Sequence, residues 1–366
     1  MRAMGLKVLV IEDSLVFQKI MSEVLRGLPG VDQVEVAGNG ADGLAAARRQ
    51  APDVVFLDLH LPDIDGLELL DRLKASSPRL PVVVVSGLSI EGADLTIAAL
   101  SRGAQQFVAK PSGSGFAQSV TLLRTQLEPV VLTVRAQGGL RPVAVPVPVP
   151  ARRAAPPVRP AVAPRATPGG FAVSAIAVST GGPEALSRLI PRLPANYPLP
   201  VVIVQHMPPM FTLSLARSLD AKSALKVVEA VDGDVLAAGT VHIAPGGRHL
   251  AVVRDAGRLV CRLNDDPPEQ SVRPAADVLF RSLARLGSAS PVLAAVLTGM
   301  GEDGLAGVRM VKAAGGWCLT QTEATCVVYG MPRAVDVAGL SDESVALDDI
   351  AARMSVLAGA GRSLKV

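Results

Sequence analysis

Aromatic side chains are scarce in this 366-residue chain, 3% in all, and its charge is close to balanced at +3. A surface that stacks nucleobases on rings and meets phosphates with a basic face has little to draw on, so nucleic-acid binding is excluded as the main role. Cys261, Cys318 and Cys326 are too few, odd in number and without C-x-x-C spacing. That excludes a disulfide framework and a zinc site and fits thiols in a reducing compartment. No apolar run approaches the roughly 18 residues of a membrane-spanning helix. Nothing near Met1 reads as a signal peptide either, because the short strand at residues 7–11 gives way at once to acidic residues. The expectation is a cytoplasmic protein that meets membranes only through a partner. Asp and Glu are missing from residues 129–183, where 145–150 alternates Val with Pro and 155–168 is rich in Pro, Ala and Arg. Repeated proline favours extended polyproline geometry and packs no core, so residues 129–170 read as a semi-rigid tether. Its arginines (Arg141, Arg152, Arg153, Arg159 and Arg165) read as solvating charge.

The tether leaves segments 1–128 and 171–366, each long enough to bury its own core. Short β-branched runs near Val8, Val34, Val54, Val82 and Phe107 alternate with helical patterns, the signature of a doubly wound α/β domain. The second segment resumes that alternation. A hairpin over 249–254 and 258–263 interrupts it, with Asp255-Ala256-Gly257 as a three-residue turn. The fold class expected is α/β: two doubly wound domains, the first flavodoxin-like, the second a largely parallel sheet with an antiparallel edge hairpin.

Polar residues gather at the strand ends, where open parallel sheets form their crevices. Glu12 and Asp13 follow the first strand and Asp58 ends the third, which are neighbours in the flavodoxin-like order. Clustered carboxylates repel unless a hard cation neutralises them, and Mg²⁺ fits that need. Ser86 and Lys110, ending strands four and five, add a hydroxyl donor and a cation for an acyl phosphate on Asp58. Each alone has an ordinary explanation as a cap, a turn or a solvated charge; agreement of all five favours a site.

In the second segment, runs at 171–178, 200–205 and 291–297 lead to Ser179, His206 and Asp303, a nucleophile, a base and an acid reaching one crevice. Ser179 lies in Ala177-Val178-Ser179-Thr180-Gly181-Gly182-Pro183, a glycine turn into a helix whose amides can hold an oxyanion. The Gly two residues before Ser in G-x-S-x-G is missing, and a Ser in such a turn is more often an N-cap. His206 precedes two prolines that fix its loop; His60, His242 and His249 are the other histidines. Asp303 follows a glycine-rich loop, with Glu302 as the rival acid. The chain order Ser, His, Asp differs from that of α/β-hydrolases, yet triads are defined by geometry and role.

Ile11-Glu12-Asp13-Ser14, Leu57-Asp58-Leu59-His60-Leu61-Pro62-Asp63-Ile64-Asp65-Gly66 and Phe107-Val108-Ala109-Lys110-Pro111 resemble the receiver domain of bacterial response regulators. The Ser179, His206 and Asp303 segments, with Ser271-Val272-Arg273-Pro274 and Val328-Tyr329-Gly330-Met331-Pro332-Arg333, resemble the catalytic domain of the CheB chemotaxis methylesterases. The resemblance spans both domains and leaves out the tether. It implies that Asp58 accepts phosphate from a chemotaxis histidine kinase, that Glu12 and Asp13 hold Mg²⁺ with Asp58, and that Ser86 and Lys110 sense the phosphoryl group. Many receivers carry Asp where Glu12 stands, and the family commonly has a cis bond where Lys110-Pro111 lies. It further implies Ser179 as nucleophile, His206 as general base and acid, Asp303 as its orienting carboxylate, and Thr180 and Met300 at the oxyanion. The implied reaction is hydrolysis of glutamate methyl esters on methyl-accepting chemoreceptors, without a cofactor for the ester step, with deamidation of receptor glutamines in some relatives. The unphosphorylated receiver is expected to cover the hydrolase cleft.

Overall fold

The structure is a computed structural model that describes residues 5–87, 89–111, 115–138 and 170–359. The first domain runs β1 (Leu6–Ile11), α1 (Leu15–Arg26), β2 (Val31–Ala37), α2 (Gly40–Gln50), β3 (Val54–Asp58), α3 (Gly66–Ser76), β4 (Val82–Ser86), α4 (Ile90–Ser101), β5 (Gln106–Ala109) and α5 (Phe116–Gly138). Its five strands are parallel in the order β2-β1-β3-β4-β5, the flavodoxin-like arrangement expected. Val54-Val55-Phe56-Leu57 and Val82-Val83-Val84-Val85 are buried throughout, because helices cover both faces and leave no room for polar alternation. Ser14, Asp65 and Ser89 start their helices by accepting amides of the first turn.

The second domain runs β6 (Val173–Val178), α6 (Gly182–Leu189), β7 (Val201–Gln205), α7 (Phe211–Asp220), β8 (Lys226–Glu229), β9 (Thr240–Ile243), β10 (His249–Asp255), β11 (Arg258–Asn264), α8 (Ala276–Ala284), β12 (Val292–Val296), α9 (Leu305–Ala313), β13 (Trp317–Gln321), α10 (Met331–Val337), β14 (Glu343–Val345) and α11 (Leu347–Gly359). Seven strands form a parallel sheet in the order β14-β13-β12-β6-β7-β9-β8. The chain begins in the middle at β6, winds outward to β8 and β9, then crosses back to β12 and winds the other way. The topological switch therefore lies between β6 and β12, and a crevice opens at their carboxyl ends.

The antiparallel hairpin β10–β11 is a two-stranded ladder of its own, with α8 packed against it. Asp255 pairs with Arg258, so the turn has two residues where three were expected. Ala256 and Gly257 both take positive φ, 47° and 81°, as the tight turn matching the twist of a hairpin requires.

α5 carries helix past the expected start of the tether at 129. Pro129 lies inside it, and Val130, Val131 and Val134 are buried in the first domain's core with Leu123 and Leu127. Apolar residues three and four apart keep one face on the core, and this packing outweighs the amide that proline lacks. The remaining tether residues, 139–169 and its arginines, lie outside the described residues. Among the described residues no helix is long and apolar enough to cross a membrane.

The two domains meet. Phe107 on β5 stacks on Phe211 at the start of α7, with ring centroids 4.4 Å apart. Ser101 of α4 and Ser187 of α6 share a hydrogen bond of 3.2 Å.

Candidate active site and phosphate site

In the first domain, β1 and β3 flank the switch point and deliver Glu12, Asp13 and Asp58 to one place. Their ligating oxygens lie within 4.8 Å of one another. Glu12 and Asp58 are buried, 1% and 3% exposed, and Asp13 is exposed. Lys110 reaches in from the end of β5, its Nζ 2.7 Å from Asp58 Oδ2 and 2.8 Å from Glu12 Oε2. Burial pushes the Glu12 carboxyl up to about 7; the Lys110 hydrogen bond opposes this and the Asp58 charge adds to it. Burial lowers Lys110, but its bonds to Asp58 and Glu12 outweigh that and hold it above the ordinary lysine range. The donor set is three hard carboxylates against one ammonium, two of them withdrawn from water, which suits a small divalent cation such as Mg²⁺. Ser86 is buried at the end of β4, but its hydroxyl is turned to the first turn of α4, where it donates to Gly92 O at 3.2 Å. The Lys110-Pro111 bond is trans; the cis bond among the described residues is Arg273-Pro274.

In the second domain, Ser179 leaves β6 beside the switch point, His206 leaves β7, and Asp303 stands in the loop after β12. His206 Nε2 lies 2.7 Å from Asp303 Oδ2. Asp303, 3% exposed, is seated on the N-terminus of α8: the amide of Ala276 donates to Oδ2 at 2.6 Å and that of Asp277 to Oδ1 at 2.9 Å. Burial pushes its carboxyl up, but the His206 hydrogen bond and charge, with the two amides, hold it below its ordinary value. It is thus a carboxylate in place to orient an imidazole and stabilise its protonated form. Glu302, the rival acid, is exposed, and its carboxylate has no hydrogen-bond partner among the described residues.

Ser179 Oγ has no hydrogen-bond partner among the described residues, its bond to His206 included. Such contacts commonly close only when substrate binds. The amide of Ser179 donates to Thr298 O at 3.0 Å, and Gly299 lies so close that a Cβ there would stand 2.8 Å from that of Ser179. Gly181 takes φ +79° where the chain turns into α6. Backbone amides of Thr180 and Met300 donate to no described residue, which leaves two free donors near the nucleophile. Ser179, Thr180 and His206 line one cavity of about 270 Å³. Met300, 43% exposed, lines a neighbouring one of about 690 Å³. The first domain walls both. Phe107, Gln106, Gln126 and Pro129 close the smaller cavity, and Lys74, Arg79 and Leu132 border the larger.

Sequence reasoning missed the seat of Asp303. His249, read as the start of the hairpin, is buried; its Nδ1 accepts the Ala275 amide at 3.1 Å and its Nε2 meets Pro267 O. It thereby satisfies an otherwise orphaned donor at the start of α8. Asp277 Oδ1 accepts the Gly307 amide at 2.6 Å, tying α8 to α9. An acidic residue in a first helical turn was the only local sign of this arrangement.

Comparison with known proteins gives the same two parts. A family model described as CheB methylesterase matches residues 174–354, and one described as response regulator receiver domain matches residues 8–117. A protein-glutamate methylesterase/protein-glutamine glutaminase of Geobacillus kaustophilus is 43% identical over 97% of this chain and 99% of its own length. One from Oleidesulfovibrio alaskensis is 40% identical over 94% of this chain and 97% of its own. The crystal structure of the Thermotoga maritima CheB methylesterase catalytic domain, 40% identical, covers 51% of this chain and 99% of its own length with a TM-score of 0.50.

Proposed function

The chain belongs to the CheB methylesterase family, and from that membership we infer a phosphorylation-regulated protein-glutamate methylesterase and protein-glutamine glutaminase of chemotaxis. We propose that Ser179 is its nucleophile. The observation that carries this is the Asp303 carboxylate, held ionised on a helix N-terminus and bonded to His206, which lines the same cavity as Ser179.

His206 takes the Oγ proton as Ser179 attacks the glutamyl ester carbonyl, and Asp303 stabilises the imidazolium. The tetrahedral oxyanion forms against the free amides of Thr180 and Met300, donors that need no reorganisation at the moment of reaction. His206 returns the proton to the leaving methoxide, so methanol departs. Water, deprotonated by the same imidazole, attacks the acyl-enzyme and frees glutamate and Ser179. An amide substrate follows the same course with ammonia as leaving group. The substrate is a methyl-accepting chemoreceptor, and the enzyme meets the membrane through it from the cytoplasm.

Asp58 accepts the phosphoryl group from a histidine kinase. Mg²⁺, when bound by Glu12, Asp13 and Asp58, would shield the charge that these carboxylates present to an incoming phosphoryl group. Lys110 then releases Asp58 and meets the phosphoryl oxygens, and Ser86 supplies a hydroxyl once it turns from Gly92. The unphosphorylated receiver roofs the ester cavity, and phosphorylation shifts the population toward separated domains. Domain boundaries follow: residues 1–138 with α5 entire, a tether to about 170, and the esterase beyond.

The test is methanol release from membranes bearing methyl-labelled receptor, with and without a small-molecule phosphodonor and Mg²⁺. Release that needs Ser179 and rises with phosphodonor is expected. Release that persists in Ser179→Ala would overturn the assignment.

A further inference from the structure

Gln205 carries a contradiction. Its Nε2 donates to Ser179 O at 3.0 Å and to His206 O at 3.2 Å, while its Oε1 is buried with no hydrogen-bond partner among the described residues. An unsatisfied buried acceptor destabilises a fold, and each one in a native protein calls for a reason. An apolar side chain of the same length would fill this space, 2% exposed, without that penalty. Packing alone therefore gives no cause for an amide here.

The location supplies the cause. Gln205 is the last residue of β7, paired in register with Val178 of β6, so its side chain leaves the sheet between the two loops that carry Ser179 and His206. Gly182 makes the room: a Cβ there would stand 1.9 Å from Gln205 Oε1. The Ser179 carbonyl also accepts the Gly182 amide at 2.8 Å. Two donors thus turn that carbonyl inward and leave the Ser179 side chain to the cavity.

We propose that Gln205 is a positioning residue whose amide ties the Ser179 backbone to that of His206 and so sets the span across which the imidazole takes the Oγ proton. This rests on the reading of Ser179 and His206 as nucleophile and base. The two loops come from different strands, and among the described residues the loop bond between them besides those of Gln205 is His206 N to Val178 O at 3.2 Å. A misplacement of this pair by about 1 Å is enough to cost about a hundredfold in rate.

The experiment uses the full chain with Gln205→Met, which keeps length and loses both polar groups, and Gln205→Glu, which keeps shape and donates only while its acid is protonated. Steady-state methanol release, the pH profile of Ser179 acylation by a fluorophosphonate, and the thermal midpoint are measured. Gln205→Met is expected to lower kcat by at least about tenfold with KM within about twofold and a midpoint changed by only a few degrees, because loss of the two Nε2 bonds offsets removal of the unpaired oxygen. In Gln205→Glu burial and the two facing carbonyl oxygens favour the protonated acid, whose O–H restores one bond, so acylation recovers toward the parent at low pH and falls as the acid ionises. A kcat within about twofold of the parent in both variants, with no such fall across the pH profile, overturns the proposal. Failure of both variants to fold assigns Gln205 to the core and overturns it as well. Ser179→Ala, run alongside, separates the levels. If it is inactive while the Gln205 variants are active, this inference alone falls; if it is active, the reading beneath falls too.

Discussion

The two sites occupy the same address in the same kind of sheet, yet their buried carboxylates are held in opposite ways. Glu12 and Asp58 face each other across one shared Lys110, and burial raises Glu12 to about 7. Asp303 meets two helix amides and an imidazole, which hold it ionised in spite of burial. In the function proposed above, the receiver's acids are completed by a cation and a phosphoryl group brought from outside. The esterase's acid is already complete on that reading, so its domain needs regulation only of access. A carboxylate at a switch point thus becomes a switch or a catalytic part according to the charges and dipoles around it.

The largest effect should come from the complete site. Ser179→Ala is expected to lower kcat by several powers of ten, and Asp303→Asn, which keeps the shape and removes the charge, by about 10³ to 10⁴. Methanol release under saturating receptor measures both. If Asp303→Asn costs less than about tenfold, the contrast between a finished and an unfinished acid collapses. Next, Asp58→Asn or removal of Mg²⁺ should abolish activation by a phosphodonor while basal release stays within about twofold, since neither touches the ester cavity. Smaller again, Phe107→Ala should raise unphosphorylated activity, because the ring pair it removes is worth about 0.5–1.5 kcal/mol of domain contact, about two- to twelvefold in the open population. An unchanged basal rate would show that the stack does not hold the roof in place.

The smallest effect is the difference in pH response, and its sign sharpens the comparison most directly. Between its ordinary 4.5 and about 7, Glu12 keeps a proton that the unfolded chain releases, so receiver stability falls as pH rises through that window. Asp303 behaves the other way. Its carboxyl sits below its ordinary 3.8, so its stabilisation is present above that value and lost as pH falls toward the lower folded one. Thermal unfolding of Glu12→Gln compared with the parent between pH 5 and 8 should show a gap that widens toward pH 8, by a few kcal/mol at most. A constant gap would mean that Lys110 offsets the burial of Glu12 fully.

What could be read from the residues alone was whatever is encoded locally. The β-branched runs before Glu12, Asp58, Ser86, Ser179, His206 and Asp303 announce buried strands, and a strand end in a parallel sheet is already a functional address. Non-local contacts were not legible. Nothing near Asp303 in sequence shows that Ala276 and Asp277 will offer it their amides, 27 and 26 residues away, or that Gln205 will bridge to Ser179 at a separation of 26. The orientation of Ser86 toward Gly92 depends on where α4 begins, and the docking of Phe107 on Phe211 depends on the whole of both domains. The tether was expected from 129 because acidic residues cease there, a compositional edge that does not register the apolar stripe of α5 continuing through Pro129.

The roof over Ser179 belongs to the same polypeptide as the floor, so its occupancy is a unimolecular equilibrium that does not change with enzyme concentration. Receptor can bind only the fraction of molecules that are open, and its apparent dissociation constant is the intrinsic one divided by that fraction. In the mechanism proposed above, the chemistry of Ser179, His206 and Asp303 then proceeds without reference to Asp58. On that mechanism phosphorylation acts as a gain in apparent affinity, and its benefit is greatest where receptor is dilute and vanishes where receptor saturates the enzyme.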